Sequence, residues 1–324
     1  MGVRILPKPA AYATWLVAVL AGCSYSSVSP TAPLTQGAST EWSVRANLKR
    51  SWMSSAAKKN DLLYISNGNN EVDIYSYPSG AKVGLLSGFE GVNFMCVNKA
   101  GDIFIPNQGL NEIFEYAHGG TSPIATLNDP YGEANACSVD PLTGDLAVAN
   151  LYTIGGSGNV AVYRHASGVP EVYNDSNFHL CEFVAYDGHS DLFLEGYSEI
   201  GYFEFAELPA ERARFRTVTL DNYGLENGLQ WEGTYLAVGG ATDSGDTYIY
   251  HIKIQARTGT TIGTTAVDEI YPTANFFIKG TRIIVAGGEP SSDTRFFPYP
   301  AGGSPTKTIS QDFSVGVVVS RGTK

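Results

Sequence analysis

Six side chains stand where carboxylate, amide or imidazole chemistry could be done: Glu90, Asn107, Glu133, Asn150, His179 and Glu195. Asn107 and Asn150 close two short apolar runs, "DIFIPN" and "DLAVAN", that lie 43 residues apart. Carboxylate and amide oxygens are hard donors that suit calcium, magnesium or manganese, so a converging set of them could hold a divalent cation, Ca or Mn. The same residue types also satisfy backbone groups in turns, and at this level both readings stand. His179, near Asp175, is the histidine placed to act as a base. No Ser/His/Asp arrangement stands out, "GGSG" at Gly155 to Gly158 lacks the Lys of a phosphate loop, and there is no dinucleotide fingerprint. No catalytic residue is therefore assigned.

What must position these residues is a repeat. The stretches from Asn93 to Asn107, Asn135 to Asn150, His179 to Gly196, Gly228 to Gly240 and Asn275 to Gly288 each read as strand, turn, strand, and a weaker copy starts at Ser51. The second-strand markers Leu62, Ile103, Leu146, Leu192, Leu236 and Ile283 are 41 to 47 residues apart, the period of a four-stranded blade. A third strand, a Gly/Pro turn and a more polar fourth strand follow in each copy. The 36 Gly and 19 Tyr against 3 Met agree with strands and tight turns. The expected fold is all-β, a six-bladed β-propeller of four-stranded blades. "FSVGVVVSRG", Phe313 to Gly322, is expected to pair with Leu62 to Ser66 as the inner strand that closes the ring. Seven blades, the last truncated, is the rival count.

On such a ring, the loops into the first strand and those between the second and third strands share one face. The first set carries Glu90, Asp129, Tyr131, Glu133, Asp175, His179, Glu226, Asp268, Glu269 and Asp312; the second carries Asn67, Asn69, Asn70, Asn107, Gln108, Asn111, Asn150, Asn159, Glu195, Asp243, Asp246 and Glu289. The six candidates at the head of this section come from these loops and are expected to bind the ligand. Cys96, Cys137 and Cys181 read as equivalent first-strand positions of successive blades, a possible three-thiolate site or small apolar residues packed between blades. No C-x-x-C pair supports a structural zinc, and a disulfide would require Cα atoms within about 7 Å. His118, His165 and His189 fall in turns on the opposite face or outer rim and His251 within a strand; His118 and His165 are expected to be solvated.

"GDIFIPNQGLNEIFEY" resembles the NHL repeat, with Asn107 and Asn150 where that family usually has Asp. Over about residues 51 to 320 the chain is similar to NHL-like propeller lipoproteins, a likeness that speaks to fold rather than activity. A likeness to gluconolactonase-like propellers would imply a divalent ion in the channel polarising a lactone carbonyl, with Asn107, Asn150 and Glu90, Glu133 or Glu195 imitating its ligands.

The chain begins with Arg4 and Lys8, a short apolar run and "LAGC" ending at Cys23, a pattern that resembles the lipobox of bacterial lipoproteins. The expected organisation is a signal peptide over residues 1–22, a lipidated Cys23 with a Ser/Thr/Pro-rich tether over 23–50, and the propeller over 51–324. Loss of residues 1–22 moves the formal charge from −11 to −13. Such a surface repels phosphate backbones, so no nucleic acid is expected, and the membrane is reached through the lipid alone. The product would be an exported monomer of the cell envelope, facing the periplasm or the outside. Two readings remain: a non-catalytic scaffold for a protein, glycan or small molecule, and a metal-dependent hydrolase or lyase in the channel.

Overall fold

The second strand of each repeat is apolar without alternation: Leu62–Asn67, Ile103–Asn107 and Leu192–Tyr197 are buried at every position. A strand reads this way when both of its faces are covered. In the computed structural model of the chain, the cover is a neighbouring sheet on either side. The structure describes residues 50–324 except 56, 154–155, 222–224, 242–245, 269–272, 288–292, 312 and 323–324. Cys23 and the segment expected to follow it as a tether, up to residue 49, lie outside the described residues.

Six antiparallel sheets form the blades of a β-propeller. From the channel outward, blade 2 is Cys96–Val97, Ile103–Asn107, Glu112–Tyr116 and Ala125–Asn128. Blade 3 is Ala134–Val139, Leu146–Thr153, Gly156–Tyr163 and Glu171–Tyr173, and blade 4 is Leu180–Tyr186, Leu192–Tyr197, Phe203–Leu208 and Arg216–Thr217. Blade 5 is Leu225–Trp231, Leu236–Ala241, Thr247–Gln255 and Thr258–Ala266, with Thr219–Leu220 added in parallel at its rim. Blade 6 is Thr273–Lys279, Arg282–Gly287, Thr294–Pro298 and Lys307–Ile309.

Blade 1 is built from both ends of the described chain. Val317–Ser320 is its innermost strand and pairs with the strand Leu62–Asn67, Leu63 opposite Val319 and Ile65 opposite Val317, as expected from the sequence. The strands Glu71–Ser76 and Ala81–Leu86 follow, and Trp52–Met53 caps the outer edge, Trp52 opposite Leu85. This corrects the reading of Ser51 onward as another inner strand. With the inner position filled by the C-terminal segment, the earlier residues cover the rim, where an open edge would otherwise face solvent.

The buried apolar side chains fall into six clusters, one at each seam between blades. Each fully buried aliphatic or aromatic side chain contributes roughly 1.5–3 kcal/mol, so the seams rather than the single sheets hold the ring together. The clusters also fix the register. Ile103 and Ile105 face blade 1 and Phe104 faces blade 3, whereas in blade 1 it is Leu63 and Ile65 that face backward, to blade 6, and Leu62 and Tyr64 that face forward. The residue equivalent to Ile103 is thus Leu63, one place later than the sequence marker. In a period-two strand a slip of one residue changes face.

That parity resolves the cysteines. Cys96 lies opposite Phe104, on the forward face of blade 2, and Cys137 lies opposite Val148, on the backward face of blade 3. They meet across the seam in a disulfide with a Cα–Cα distance of 5.5 Å. Cys181, opposite Gly196, faces the next seam, among Ala136, Ala147 and Ala149, and is a buried free thiol. The three are not equivalent positions, and no three-thiolate site forms.

The closing strand is tied down beyond its ladder. Ser320 Oγ donates to Gly101 O at 2.5 Å and lies 2.6 Å from His118 Nδ1, while Gly322 N–H donates to Asp61 Oδ1 at 2.9 Å. His118 is therefore a partly buried member of the closure rather than a solvated turn residue; His165 is 80% exposed.

Candidate functional site

The upper face, which carries the loops into the inner strands and the turns between second and third strands, presents Glu90, Glu133 and His179 in its loops, with Asn107 and Asn150 buried at the strand ends beneath them; Glu195 stands apart. Asn107 is fully buried at the end of its strand, directed backward to blade 1, and its Oδ1 accepts the Glu90 N–H at 2.7 Å. Glu90 O in turn accepts the Gly109 N–H at 2.7 Å, leaving the Glu90 carboxylate exposed. The matching residue of blade 3, Asn150, is also fully buried, and its Nδ2 donates to Asn159 Oδ1 at 2.9 Å. Asn159 Nδ2 donates onward to Tyr131 O at 3.0 Å. These amides pin the incoming loops of the upper face, which is what a buried Asn at a strand end must do if backbone groups are to remain satisfied.

By face and register the same position is Asn67 in blade 1 and Gly196 in blade 4. Asn67 Oδ1 accepts the Asn69 and Glu71 N–H groups at 2.9 and 3.2 Å, closing its own turn. At Gly196 a Cβ would sit 2.0 Å from Leu180 O, so no side chain fits. Glu195 is fully buried beside it on the opposite parity, with Phe193 and Phe205 on the seam to blade 5. The structure does not bring Glu195 together with Asn107, Asn150, Glu90 or Glu133.

A different grouping forms above blades 2 to 4. Gln108 Nε2 donates to Glu133 Oε2 at 3.0 Å. The hairpin of blade 3 continues past Asn150, pairing Tyr152 with Ser157, and carries Tyr152 over the loop into blade 4, where its ring meets His179 edge-on at 5.6 Å. Burial, then the nearby charges of Glu133 and Glu182, raises the Tyr152 hydroxyl above its ordinary range. Beneath this group Asp129 is fully buried and its carboxyl is pushed up to about 6 by burial, with hydrogen bonds from Asn150, Tyr131 and Tyr163 acting against the shift. Among the described residues, the same face exposes the apolar side chains of Leu110, Tyr131, Ile200 and Tyr202, the last two 77% and 66% exposed.

The channel wall contains residues the sequence reading passed over. The pairing register of blade 3 skips Asn135, which bulges out of the inner strand, and Glu182 bulges likewise in blade 4. Asn93 Nδ2 donates to Asn135 Oδ1 at 2.9 Å, and Asn135 Nδ2 donates to Glu182 O at 2.9 Å. Gln230 exchanges two hydrogen bonds with Ile278 across the seam of blades 5 and 6, and Asn275 Oδ1 accepts from Val317 N between blades 6 and 1. The available signal was position: Asn93, Asn135 and Asn275 each open a repeat copy. Phe94 reaches past blade 3 to Phe183 of blade 4, with ring centroids 4.5 Å apart, bridging two inner strands that are not neighbours.

Among the described residues no group of three or more His, Cys, Asp or Glu side chains is close enough to share a metal ion. Glu226 (for its side chain), Asp243, Glu269, Glu289 and Asp312 lie outside the described residues. The arrangement above blades 2 to 4 offers carboxylates, an amide, an imidazole and exposed aromatic rings.

No known family model matches the chain, and no curated protein matches it. Solved structures do match in fold. A chain of the nidogen/laminin complex superposes with a TM-score of 0.64 at 9% identity, over 82% of this chain and all of that one. A protein of unknown function from Bacteroides caccae gives 0.56 at 11%, over 81% and 99%. The β-propeller domain of Cps50 (Swd1) from Myceliophteria thermophila gives 0.52 at 8%, over 81% and 86%. At such identities the likeness is one of fold alone.

Proposed function

We propose that this protein is an exported, lipid-anchored scaffold that binds a protein partner through the upper face above blades 2 to 4 and performs no chemistry on it. The observation that carries the reading is the arc of exposed Leu110, Tyr131, Ile200 and Tyr202 beside the Gln108–Glu133 and Tyr152–His179 pairs. Apolar and aromatic side chains rimmed by hydrogen-bonding groups are the composition of a protein-binding patch. The opposite face exposes Ile124, Leu142 and Val169, each on a separate turn. A chain that resembles this one in fold comes from the nidogen/laminin complex, an assembly of proteins.

Export is supported by the leader pattern ending at Cys23 and by the Cys96–Cys137 disulfide, a bond that persists in oxidising compartments. The hydrolase alternative is weakened by the internal use of the Asn107 and Asn150 amides and by the apolar Phe94–Phe183 pair at the channel wall. The NHL-like assignment supplies no activity of its own.

The test is site-specific photocrosslinking in cells, with the crosslinker at Tyr202 or, as control, at Val169. A discrete adduct from Tyr202 that vanishes with Ile200→Glu supports the face. Equal labelling from both positions, or none, sinks it. Membrane fractionation of Cys23→Ser tests the anchor, since a soluble periplasmic variant is expected.

A further inference from the structure

Against a formal charge of −11, the segment from Glu211 to Thr217 places Arg212, Arg214 and Arg216 within five residues. Arg216 belongs to the outermost strand of blade 4, Arg214 lies just before it, and beside them lies Arg257 from the last turn of blade 5. Together they line a concavity of about 440 Å³ whose other wall is the loop after blade 3, with Asn174, Asp175 and Asn177. This volume lies within the range of small-molecule sites, roughly 300–1,000 Å³, and the depression is open to solvent along the rim.

Each arginine is held differently. Arg216 makes a fork to the buried carboxylate of Glu207, through Nε at 3.0 Å and Nη2 at 2.8 Å, so its charge is largely spent inside the protein. Arg257 donates its Nε to Thr217 O at 3.1 Å, which orients the guanidinium while leaving its Nη groups for another acceptor. Arg214 is exposed and makes no ion pair among the described residues. Two guanidinium groups with fixed or free forks are thus offered to one space, and a guanidinium fork matches a carboxylate or sulfate geometrically.

The remaining wall is suited to hydroxyl groups rather than to a second charge. Asn177 Nδ2 lies 3.5 Å from Thr217 Oγ1, and Asp175 Oδ1 accepts the Asn177 N–H at 2.9 Å, keeping its other oxygen as an acceptor. Phe215, half-buried, is braced edge-on by Tyr173 at 6.5 Å and presents an apolar surface to the same space. Anion donors on one side, hydroxyl partners on the other and an aromatic face between them are the requirements of a charged sugar.

We infer that the concavity formed by Arg214, Arg257, Phe215 and the Asn174–Asn177 loop is a binding site for an acidic saccharide, a sugar carrying a carboxylate or sulfate. This site uses other residues of the loop that carries His179 than the upper-face patch does, and it stands whether or not that patch binds a protein. The Asp175 carboxylate discriminates against bare anions, since a ligand without hydroxyl groups meets it as a like charge.

The experiment is calorimetric titration of the full-length purified chain with digalacturonate, a sulfated disaccharide, neutral maltose and sodium sulfate. Binding of an acidic disaccharide is expected, weakening as salt rises, at least tenfold weaker for Arg214→Ala/Arg257→Ala and weakened to a smaller extent in Arg257→Lys, which keeps the charge and loses the fork. Maltose is expected not to bind. Arg214→Glu alone, at a position with no ion-pair partner among the described residues, keeps the test valid should loss of the Arg257–Thr217 contact perturb the rim. Failure of every acidic sugar to bind, unchanged affinity in Arg214→Glu and the double variant, or sodium sulfate binding as tightly as the sugars would each overturn the inference.

Discussion

Asn93 and Asn135 join side chain to side chain across the seam of blades 2 and 3, Nδ2 to Oδ1 at 2.9 Å, and Asn135 passes the connection on to Glu182 O in blade 4. The bulge that frees Asn135 from the ladder is what allows one amide to serve two neighbours. Inner strands of a ring diverge at their ends, and an amide with one donor and one acceptor side spans the gap where backbone pairing cannot.

Asn135→Ala is accordingly expected to cost about 1–3 kcal/mol, because Asn135 is only 3% exposed and its loss removes the side-chain bonds from Asn93 and to Glu182 O together. Urea unfolding monitored by tryptophan fluorescence measures this. Asn135→Asp should cost at least as much, since a carboxylate cannot donate to Glu182 O. A loss below about 0.5 kcal/mol in Asn135→Ala would show that the seam is held by its apolar cluster alone.

The Cys96–Cys137 disulfide closes a loop of 41 residues in sequence separation. By chain entropy its removal costs at most about 4 kcal/mol, less if the unfolded chain keeps structure. Cys96→Ser/Cys137→Ser should therefore lower the melting temperature to the value that reductant gives the native protein. Peptide mapping under non-reducing conditions is expected to recover the linked pair. Cys181, whose thiol is pushed up chiefly by burial, should be alkylated only after unfolding. Recovery of a Cys137–Cys181 peptide would contradict the facing of these strands.

How far the sequence could be read is shown by these residues. The period of the repeat and the closing partner of Leu62–Asn67 were legible, because long-range architecture depends on spacing and apolar content. What failed was parity. Leu62 stood for Leu63, and three cysteines looked alike that in fact face forward, backward and backward, because a strand buried on both faces has no alternation to mark its sides. The end-of-strand Asn107 and Asn150 were visible as polar residues at a mouth, but whether such an amide looks outward or holds a loop depends on contacts with Glu90 and Asn159 that lie 17 and 9 residues away. The arginine concavity draws on blades 3, 4 and 5 at once, beyond the reach of any single repeat.

Glu232, in the turn of blade 5, has its carboxyl raised to about 7 by burial, with the Gln230 amide donating to it at 2.8 Å and acting against the shift. An acid whose folded pKa lies above its unfolded value favours the folded state below the unfolded pKa, near 4.5, and that contribution disappears as pH rises through about 7. Relative to Glu232→Gln, the native protein should gain stability as pH falls from 8 to 5, by on the order of 2 kcal/mol after allowance for partial exposure. Parallel pH profiles for the two proteins would show Glu232 to be ionised throughout the range.

His118 imposes the opposite dependence on the closure of the ring. Its ring nitrogen Nδ1 lies 2.6 Å from Ser320 Oγ, whose proton is given to Gly101 O, so Nδ1 carries a proton and donates to the serine. Burial is the leading cause that lowers its pKa below 6.5. In the unfolded chain the imidazole takes up a proton near pH 6.5 and in the folded protein only at lower pH, so stability is whole above that value and is lost as pH falls through the interval between the two. His118→Gln, which keeps a donor for Ser320 but cannot titrate, should lose less thermal stability than the native protein between pH 7.5 and 5. Ser320→Ala should cost about 1–2 kcal/mol at pH 7.5 and abolish part of the difference, because the closing strand then lacks the hydroxyl that links Gly101 to His118. Hydrogen exchange at Val317–Ser320 locates the effect: faster exchange there at pH 5 than at pH 7.5, after correction for the intrinsic rate, with the blade 3 strand Leu146–Thr153 unchanged, is the expected result. Loosening spread evenly over both strands would place the acid sensitivity elsewhere than in the closure.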